Sequence, residues 1–506
     1  MPSPSPRSSS IVRSSPVMSR RSLLGAAAAV GAAALGGGAL AACSSSSGGS
    51  SSGVTLAYWD WYVSQASWVN NEIKLFQQAH PGIKVQKTTQ VTTQYADLVS
   101  LAFRSQNGPD ILMVPQSPPV AEQVSQGWFL PLNQWGTSSW QSKFPPGSFV
   151  EGADEFNGKL YTAPFSGPSP SFQLYIHNGV FKSAGLTNPD GSVKLPSTWD
   201  DVSRAAAAIK AKSGGSTYAF GFGGSDSILV VWLDMFVRGA GSPGGAAPQG
   251  TQSMDYRVGK WTFGTDRNYA DFAELMLEWK KKGYFYPDSM SISDEQARAF
   301  FERGKFGMTV GGVWNQPPWT QDNFTDYSLV TLPSPTGTPK AFYYGPPGSP
   351  FVAVSARTPH ADEAWAWFDW LYSPAAGKRW VEQGQGLSVF PQNNDAKTVT
   401  FKPFAQYVAM ANTGLIGPDP SIRNPQTAKV TMSTVSPSIS DVISGIYTGQ
   451  AGNAASALSS VGDRYNQALA TAVSQASAGG AKVSMSDYAF PDWDITKAFV
   501  NKPASQ

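Results

Sequence analysis

Residues 54–114 read VTLAYWDWYVSQASWVNNEIKLFQQAHPGIKVQKTTQVTTQYADLVSLAFRSQNGPDILMV. Three apolar runs indicate buried strands, namely Leu56 to Trp59, Ile83 to Val85 and Asp110 to Val114. The two segments between them place apolar residues at helical spacing, and Pro81-Gly82 ends the first of these helices. The order β-α-β-α-β with short connections predicts a parallel sheet covered by helices, and therefore an α/β fold.

The N-terminus has the composition of an export signal. Arg20-Arg21 is a twin-arginine pair before a stretch rich in Ala and Gly, and Leu40-Ala41-Ala42-Cys43 has the form of a lipobox. We expect residues 1–42 to be removed and Cys43, the only cysteine, to be acylated. A transmembrane anchor is the alternative interpretation, but the stretch lacks the roughly 20 strongly apolar residues of a span.

The remaining composition bounds the size and the class of protein. Residues 43–53 consist of Ser and Gly after the cysteine, which predicts a flexible tether. The roughly 460 residues after the signal exceed what one core supports, so two lobes are expected. Removing the four arginines of the signal from 37 basic residues leaves 33 against 35 acidic ones, a net charge of −2. No basic surplus is left to neutralise phosphates, which disfavours binding to nucleic acid.

The sequence offers no motif for catalysis. His80, His177 and His360 are far apart in the sequence, and neither H-E-x-x-H nor C-x-x-C occurs, so no metal site is expected. Residues 239–244 match G-x-G-x-x-G but follow a helical segment and contain a proline, which argues against a dinucleotide site. We therefore expect a protein without enzymatic activity and without a cofactor.

Several segments resemble the blocks of one family, in that family's order. They are residues 76–85 (FQQAHPGIKV), 108–111 (GPDI), 156–164 (FNGKLYTAP), 175–201, 304–314 and 361–380. On these residues the chain resembles the extracellular solute-binding proteins, family 1, of ABC importers, which include maltose-binding protein.

The resemblance implies a two-lobed α/β fold of the periplasmic-binding-protein type II-like class, with a ligand cleft between lobes that crossing hinge segments join. The expected division is the first part of lobe 1 in residues 54–163, lobe 2 in residues 164–348, a return to lobe 1 in residues 349–390, and a C-terminal part mainly in lobe 2 in residues 391–506. The resemblance also implies an extracytoplasmic, monomeric lipoprotein that delivers a mono- or oligosaccharide to the transmembrane subunits of an ABC permease.

Candidate ligand contacts follow from the resemblance and from two rules. Ligands of open α/β sheets bind beyond the carboxyl ends of strands, and sugars need aromatic faces with planar polar groups beside them. The candidates are Trp59, Asp60, Trp61, Gln116, Ser117, Ser171, Gln173, Trp232, Asp234, Trp314, Trp319, Tyr343 and Tyr344. Trp314 is the first choice because it follows a strand and two glycines and matches the family's cleft tryptophan.

Alternatives remain for these residues and for the function. Trp314, Trp319, Trp232 and Asp234 could instead be buried in the core, and only one of the adjacent Tyr343 and Tyr344 should face a cleft. Where maltose-binding protein has a carboxylate before the strand that enters lobe 2, this chain has Ser171. A polyamine is an alternative solute, and a lipoprotein glycoside hydrolase is an alternative function.

Replacing the lipobox cysteine tests the predicted anchor. The variant Cys43→Ser should appear in the soluble fraction after cell fractionation, because without an acylated thiol nothing predicted in the chain holds it to the bilayer. The wild-type chain should sediment with membranes. Equal membrane association of both chains would refute lipidation at Cys43.

Overall fold

A computed structural model describes residues 53–90, 92–145, 148–166, 169–246, 253–340, 343–345, 349–410 and 414–502, with the backbone alone at 93, 343–345 and 349–350. Residues 1–52, which carry the predicted signal, Cys43 and nearly all of the tether, lie outside the described residues.

The strands are β1 Val54–Asp60, β2 Ile83–Thr89, β3 Ile111–Met113, β4 Glu155–Phe156, β5 Lys159–Leu160, β6 Thr162–Ser166, β7 Phe172–His177, β8 Tyr218–Phe220, β9 Phe306–Gly312, β10 Tyr327–Val330, β11 Tyr343–Gly345, β12 Ser349–Val354 and β13 Gly414–Ile416. The α-helices are α1 Ala66–Ala79, α2 Tyr95–Ser105, α3 Val120–Ser125, α4 Ser138–Gln141, α5 Asn178–Ser183, α6 Trp199–Ser213, α7 Leu229–Ala240, α8 Arg267–Lys281, α9 Asp294–Glu302, α10 Gln316–Gln321, α11 Ala361–Leu371, α12 Pro374–Glu382, α13 Lys402–Ala409, α14 Pro420–Arg423, α15 Ile439–Thr448 and α16 Ala454–Ala478.

The first sheet has the strand order β2-β1-β3-β12-β6. Strand β1 pairs in parallel with both β2 and β3, which confirms the parallel arrangement predicted for residues 54–114. Leu56, Tyr58 and Asp60 alternate along β1 and are buried, as expected for a strand with one face on the core. Strand β12 lies antiparallel between β3 and β6, so the chain rejoins this sheet after a long excursion. We call this sheet and its helices the first lobe.

The second sheet has the strand order β10-β7-β9-β8, and β9 is buried along its whole length. Helix α6 beside it begins with a capping box between Thr198 and Asp201. Helix α7 is buried from Leu229 to Gly239, because α8, the C-terminal helix α15 and the strands β7 and β9 pack around it. Helix α16 packs in turn on α8 and α15. We call this sheet and these helices the second lobe.

The two lobes pack closely, and residues 52–506 form one compact unit. The chain passes from β6 in the first sheet to β7 in the second, and from β10 back to β12 in the first. Beside this return, β11 pairs in parallel with β13 from the C-terminal part of the chain.

A buried ion pair joins the helices of the first lobe. Glu72 of α1 is fully buried, and its carboxylate oxygens accept hydrogen bonds from Nε and Nη2 of Arg379, each at 2.6 Å. The indole N–H of Trp370 donates to the same carboxylate at 3.0 Å. This carboxylate therefore links α1 to α11 and α12.

The variant Glu72→Gln should lower the free energy of unfolding by about 3 kcal/mol, because it leaves the Arg379 guanidinium without its counter-charge. We place the loss at the low end of the range for buried pairs, since Arg379 is 26% exposed. Urea unfolding measures the loss. The matched control is Glu382→Gln, which breaks an exposed pair with Lys378 at 3.7 Å and should cost less than about 1 kcal/mol. Equal losses in the two variants would contradict a stabilising role for the Glu72 pair.

Candidate functional site

The end of β1 and the residue after it carry three of the predicted residues. Asp60 is fully buried and has the Nζ of Lys87 at 3.4 Å; burial raises the pKa of its carboxyl, and Thr89 and Lys87 oppose this shift. Trp59 and Trp61 are half-buried, and the indole N–H of Trp61 donates to the carbonyl of Val114 at 3.4 Å. Asp60 is therefore enclosed in the first lobe, whereas the two tryptophans keep part of their surface open.

Strand β3 ends in an exposed loop that carries Gln116 and Ser117. The buried amide of Gln123 fixes this loop by donating to the carbonyls of Pro115 and Pro118, at 2.9 and 2.6 Å. The Gln116 and Ser117 side chains are thus presented to solvent on a braced backbone.

Strand β9 ends at Gly311 and Gly312, and Trp314 follows after Val313. A Cβ atom at Gly312 would lie 1.9 Å from a ring carbon of Trp314. The indole therefore occupies the space that any side chain at position 312 would fill. The ring meets Phe172 edge-on at 5.9 Å between centroids, and its N–H donates to Oδ2 of Asp294 at 2.8 Å. Trp314 is half-buried and has a defined orientation at the carboxyl end of β9.

Asp294 is a site residue that the sequence did not reveal. Burial raises the pKa of its carboxyl to about 6, while the Trp314 hydrogen bond and Arg298 lower it and Glu295 and Asp226 raise it further. Its backbone N–H donates to Oδ2 of Asp226 at 2.7 Å. No pattern in the sequence indicates this role, because Asp294 also reads as an ordinary acidic first residue of a helix.

The ends of β1 and β9 approach each other across the two lobes. The turn Val63–Gln65 after β1 contacts the turn Val313–Asn315 after β9. Gln65 and Asn315 are buried there, and each has a side-chain oxygen without a hydrogen-bond partner among the described residues. The contact between the lobes is therefore polar and only partly satisfied at this point.

Two of the predicted tryptophans lie in the core. Trp319 is fully buried among Tyr175, Phe301 and Tyr327. Trp232 is fully buried between Phe220 and Phe236. The structure corrects their assignment to the cleft, because neither ring has a surface that a solute could reach.

Asp234 is also a core residue. It forms a buried ion pair with Arg238 at 3.0 Å, and its Oδ1 accepts the backbone N–H of Ala246 at 2.6 Å. The expectation that it faces a solute is therefore corrected as well, since its carboxylate is used to hold the loop that follows α7.

The residues that lead into β7 divide between surface and interior. Ser171 is exposed, whereas Gln173 is buried, donates to the Pro170 carbonyl at 2.9 Å and accepts the Tyr175 hydroxyl at 3.1 Å. Tyr343 and Tyr344 lie on β11, and their side chains are outside the described part of the chain.

A cavity of about 610 Å³ lies where the first lobe, the second lobe and the C-terminal part of the chain meet. Gln116 and Glu122 line it from the first lobe, and Tyr256 from the second. Residues 417–421, 427–428 and 430–432, with the aromatic residues Tyr488 and Trp493, form much of the remaining wall.

Among the predicted contacts whose side chains the structure describes, Gln116 alone lines this cavity. The lining residues within the described ranges include the carboxylates of Glu122 and Asp419 and contain no lysine, arginine or histidine. Desolvation raises the pKa of the Asp419 carboxyl, whose Oδ1 accepts the hydroxyl and backbone N–H of Ser421 at 2.6 and 2.8 Å. The cavity is therefore aromatic, rich in hydrogen-bond acceptors and free of basic groups.

Comparison with known sequences identifies the family. The model of the bacterial extracellular solute-binding proteins matches residues 59–378, which is more than half of the chain. The chain belongs to the bacterial extracellular solute-binding protein family. The resemblance inferred from the sequence blocks is thereby confirmed.

Named relatives cover part of the chain. The sn-glycerol-3-phosphate-binding periplasmic protein UgpB of Shigella dysenteriae is 28% identical over 212 residues, which is 41% of this chain and 44% of that protein. The UgpB protein of Escherichia coli K12 is 27% identical over the same length. The match to this solute-binding protein thus spans less than half the length of these relatives.

Solved structures of similar fold cover most of the described chain. The GacH receptor of Streptomyces glaucescens, studied with acarbose, has a TM-score of 0.62 at 16% identity and covers 82% of this chain and 98% of its own. The maltose/maltodextrin-binding domain of Bdellovibrio bacteriovorus MalE, bound to maltotriose, has a TM-score of 0.58 at 16% identity and covers 82% and 100%. At these identities the likeness concerns the fold, and it confirms the two-lobed α/β architecture.

The described residues lack two features of other classes of protein. No described helix has both the length and the apolar character that crossing a bilayer requires. Within the same residues, no three side chains of the metal-binding types come close enough together to hold an ion.

The raised pKa of the Asp294 carboxyl predicts that the stability of the fold depends on pH. The folded-state pKa of about 6 exceeds the ordinary value of 3.8, so ionised Asp294 destabilises the fold above pH 6, and this cost disappears as the pH falls towards 4. The variant Asp294→Asn keeps an acceptor for Trp314 and should raise the melting temperature at pH 7.5 by about 2 °C. The difference from wild type should shrink towards zero at pH 4.5. A constant difference across this pH range would contradict the raised pKa.

Proposed function

We propose that this chain is the lipid-anchored, extracytoplasmic substrate-binding component of an ABC importer and that it captures a carbohydrate. Membership of the solute-binding family supports the transport role. The cavity between the two lobes, with aromatic and acceptor groups and no basic residue in its described lining, supports a neutral polyhydroxylated solute.

The cavity has the two kinds of surface that sugar binding requires. Tyr256, Tyr488 and Trp493 supply aromatic surface for the C–H face of a pyranose. The amide of Gln116 and the carboxylates of Glu122 and Asp419 supply planar groups for its hydroxyls. The volume of about 610 Å³ lies within the range of about 300–1,000 Å³ that is usual for small-molecule sites.

The same lining disfavours a phosphate ester. A phosphate is normally bound by Arg, Lys or backbone N–H groups at a helix N-terminus, whereas two carboxylates would repel it. The relatives named for sn-glycerol 3-phosphate therefore do not determine the solute that we propose for this chain. A polyamine is the second candidate, because Glu122 and Asp419 would attract its charges.

Trp314, Trp59 and Trp61 remain proposed contacts. They lie at the carboxyl ends of β9 and β1, the two strand ends that meet across the lobes. A solute that touches both lobes gains most of its contacts when they are shut, so it shifts the population towards the closed form. The closed protein is then presented to the permease, and the lipid on Cys43 keeps it near the membrane.

A thermal-shift panel tests the class of solute. The mature chain is heated with maltotriose, raffinose, spermidine and sn-glycerol 3-phosphate in separate samples. A sugar at a hundred times its Kd should stabilise the fold by about 2.7 kcal/mol, and the phosphate ester should give no shift. A shift with spermidine alone would indicate that the solute is a polyamine rather than a sugar. A shift with the phosphate ester alone would contradict the expectation that the two carboxylates of the cavity repel a phosphate.

The alternative of a glycoside hydrolase is tested with the same sugars. We expect the oligosaccharides to be recovered intact after long incubation with the mature chain, as analysed by chromatography. Release of more than one shorter product per protein molecule would show that the protein is a glycoside hydrolase rather than a binding protein.

A further inference from the structure

The cavity is formed largely by a part of the chain that the family match does not include. The match ends at residue 378, whereas 13 of the 22 lining residues lie beyond it, so the larger part of the lining belongs to the C-terminal region. We call residues 414–432 the wall segment and residues 482–502 the C-terminal tail. The wall segment contains β13, α14 and a 3-10 helix over Pro425–Lys429.

The wall segment reaches the first lobe on one side. The hydroxyl oxygen of Ser421, which donates to Asp419, also lies 3.3 Å from the carbonyl oxygen of Gly152. A Cβ atom at Gly152, where φ is +91°, would lie 2.9 Å from the Ser421 carbonyl oxygen, so the two backbones are nearly in contact. The 3-10 helix Pro425–Lys429 also packs on α3. The segment therefore closes one side of the cavity against the first lobe.

The C-terminal tail holds the wall segment from the other side. The side chain of Asn501 makes two hydrogen bonds to this segment. Its Oδ1 accepts the N–H of Asp419 and its Nδ2 donates to the carbonyl of Gly417, each at 2.8 Å. The N–H of Phe499 donates to the carbonyl of Ile416, also at 2.8 Å. These three bonds hold the backbone of residues 416–419, and three of these residues, Gly417, Pro418 and Asp419, line the cavity directly before Pro420.

Further contacts continue along the wall segment. The guanidinium of Arg423 lies 3.4 Å from the ring centroid of Phe490 and donates to the carbonyl of Ala489. The Nδ2 of Asn424 donates to the carbonyl of Lys482 at 2.8 Å. The wall segment is thus fixed by a tail that is more than 50 residues away in the sequence.

We propose that Asn501 is a positioning residue for the solute cavity, and that the C-terminal tail sets the selectivity of this family member by holding the wall segment in place. The proposal rests on the proposed function, since it assumes that the cavity takes the polyhydroxylated solute. Asn501 acts through the backbone of Asp419, which lines the cavity, whereas Asn501 itself does not line it.

The first test does not depend on any solute. Replacing Cys43 with serine removes the sole cysteine, so Ala428→Cys then places a single thiol in the cavity lining. Adding Asn501→Ala should raise the rate of labelling by a water-soluble maleimide about threefold or more, because the wall segment opens more often. The exposed neighbouring variant Lys502→Ala should leave the rate unchanged, and Asn501→Gln, which keeps the amide, should restore part of the protection.

A second thiol separates local opening from general loosening. Ala299 is half-buried on α9 and does not line the cavity. A thiol introduced there by Ala299→Cys should therefore be labelled at the same rate whether or not the chain also carries Asn501→Ala. If Asn501→Ala fails to fold, Asn424→Ser takes its place, since it removes the donor to Lys482 and keeps a capping oxygen. Equal labelling of Ala428→Cys in the Asn501→Ala and Lys502→Ala chains would overturn the proposal.

The second test measures affinity for maltotriose and raffinose by calorimetry. Asn501→Ala should bind whichever of these sugars the wild type binds roughly tenfold more weakly, about 1.4 kcal/mol. Unchanged affinity in this variant would overturn the role in selectivity. If the wild type binds neither sugar, the result counts against the proposed carbohydrate function, and the labelling experiment still decides whether Asn501 holds the wall segment.

Discussion

The pairing of β12 between β3 and β6 is the constraint on which the remaining architecture depends. This strand rejoins the first sheet after the whole second sheet has been built, and it runs antiparallel to both neighbours. Because β6 leads out to the second lobe and β12 leads back, the two connections lie side by side in one sheet. Such paired crossings restrain how far the lobes can separate and leave them free to rotate about the crossing strands.

That constraint also determines where polar side chains can meet. The parallel strands β1 and β3 end at one edge of the first sheet, and β9 ends opposite them, so the turns after β1 and β9 come into contact. The amides of Gln65 and Asn315 are buried there with unmatched oxygens, which makes the contact less stable than an apolar interface of equal area. A polar contact of this kind suits two lobes that must separate to admit a solute.

The sequence was sufficient for the first sheet because its signals are local. The apolar runs at Leu56 and Ile111 and the helical spacing around Phe76 need no knowledge of distant residues, and all three elements were confirmed. Trp232 and Trp319 were assigned to the cleft because a tryptophan after a strand or on a bordering helix looks the same in the sequence whether it faces a solute or a core. Only the rings around them, such as Phe236 and Tyr327, distinguish the two cases.

The cavity could not be predicted from local sequence patterns, because its lining residues are distant in the sequence and come together only in the folded chain. Gln116 and Trp493 are nearly 400 residues apart, and no periodicity connects them. The wall between them is held by backbone carbonyls and by amide side chains, which carry no recognisable motif. Nearly all strands of the two main sheets lie within the family match, whereas most of the cavity lining lies beyond it. On the role that we propose for the wall segment, substitutions there would change the solute while the two main sheets stay intact.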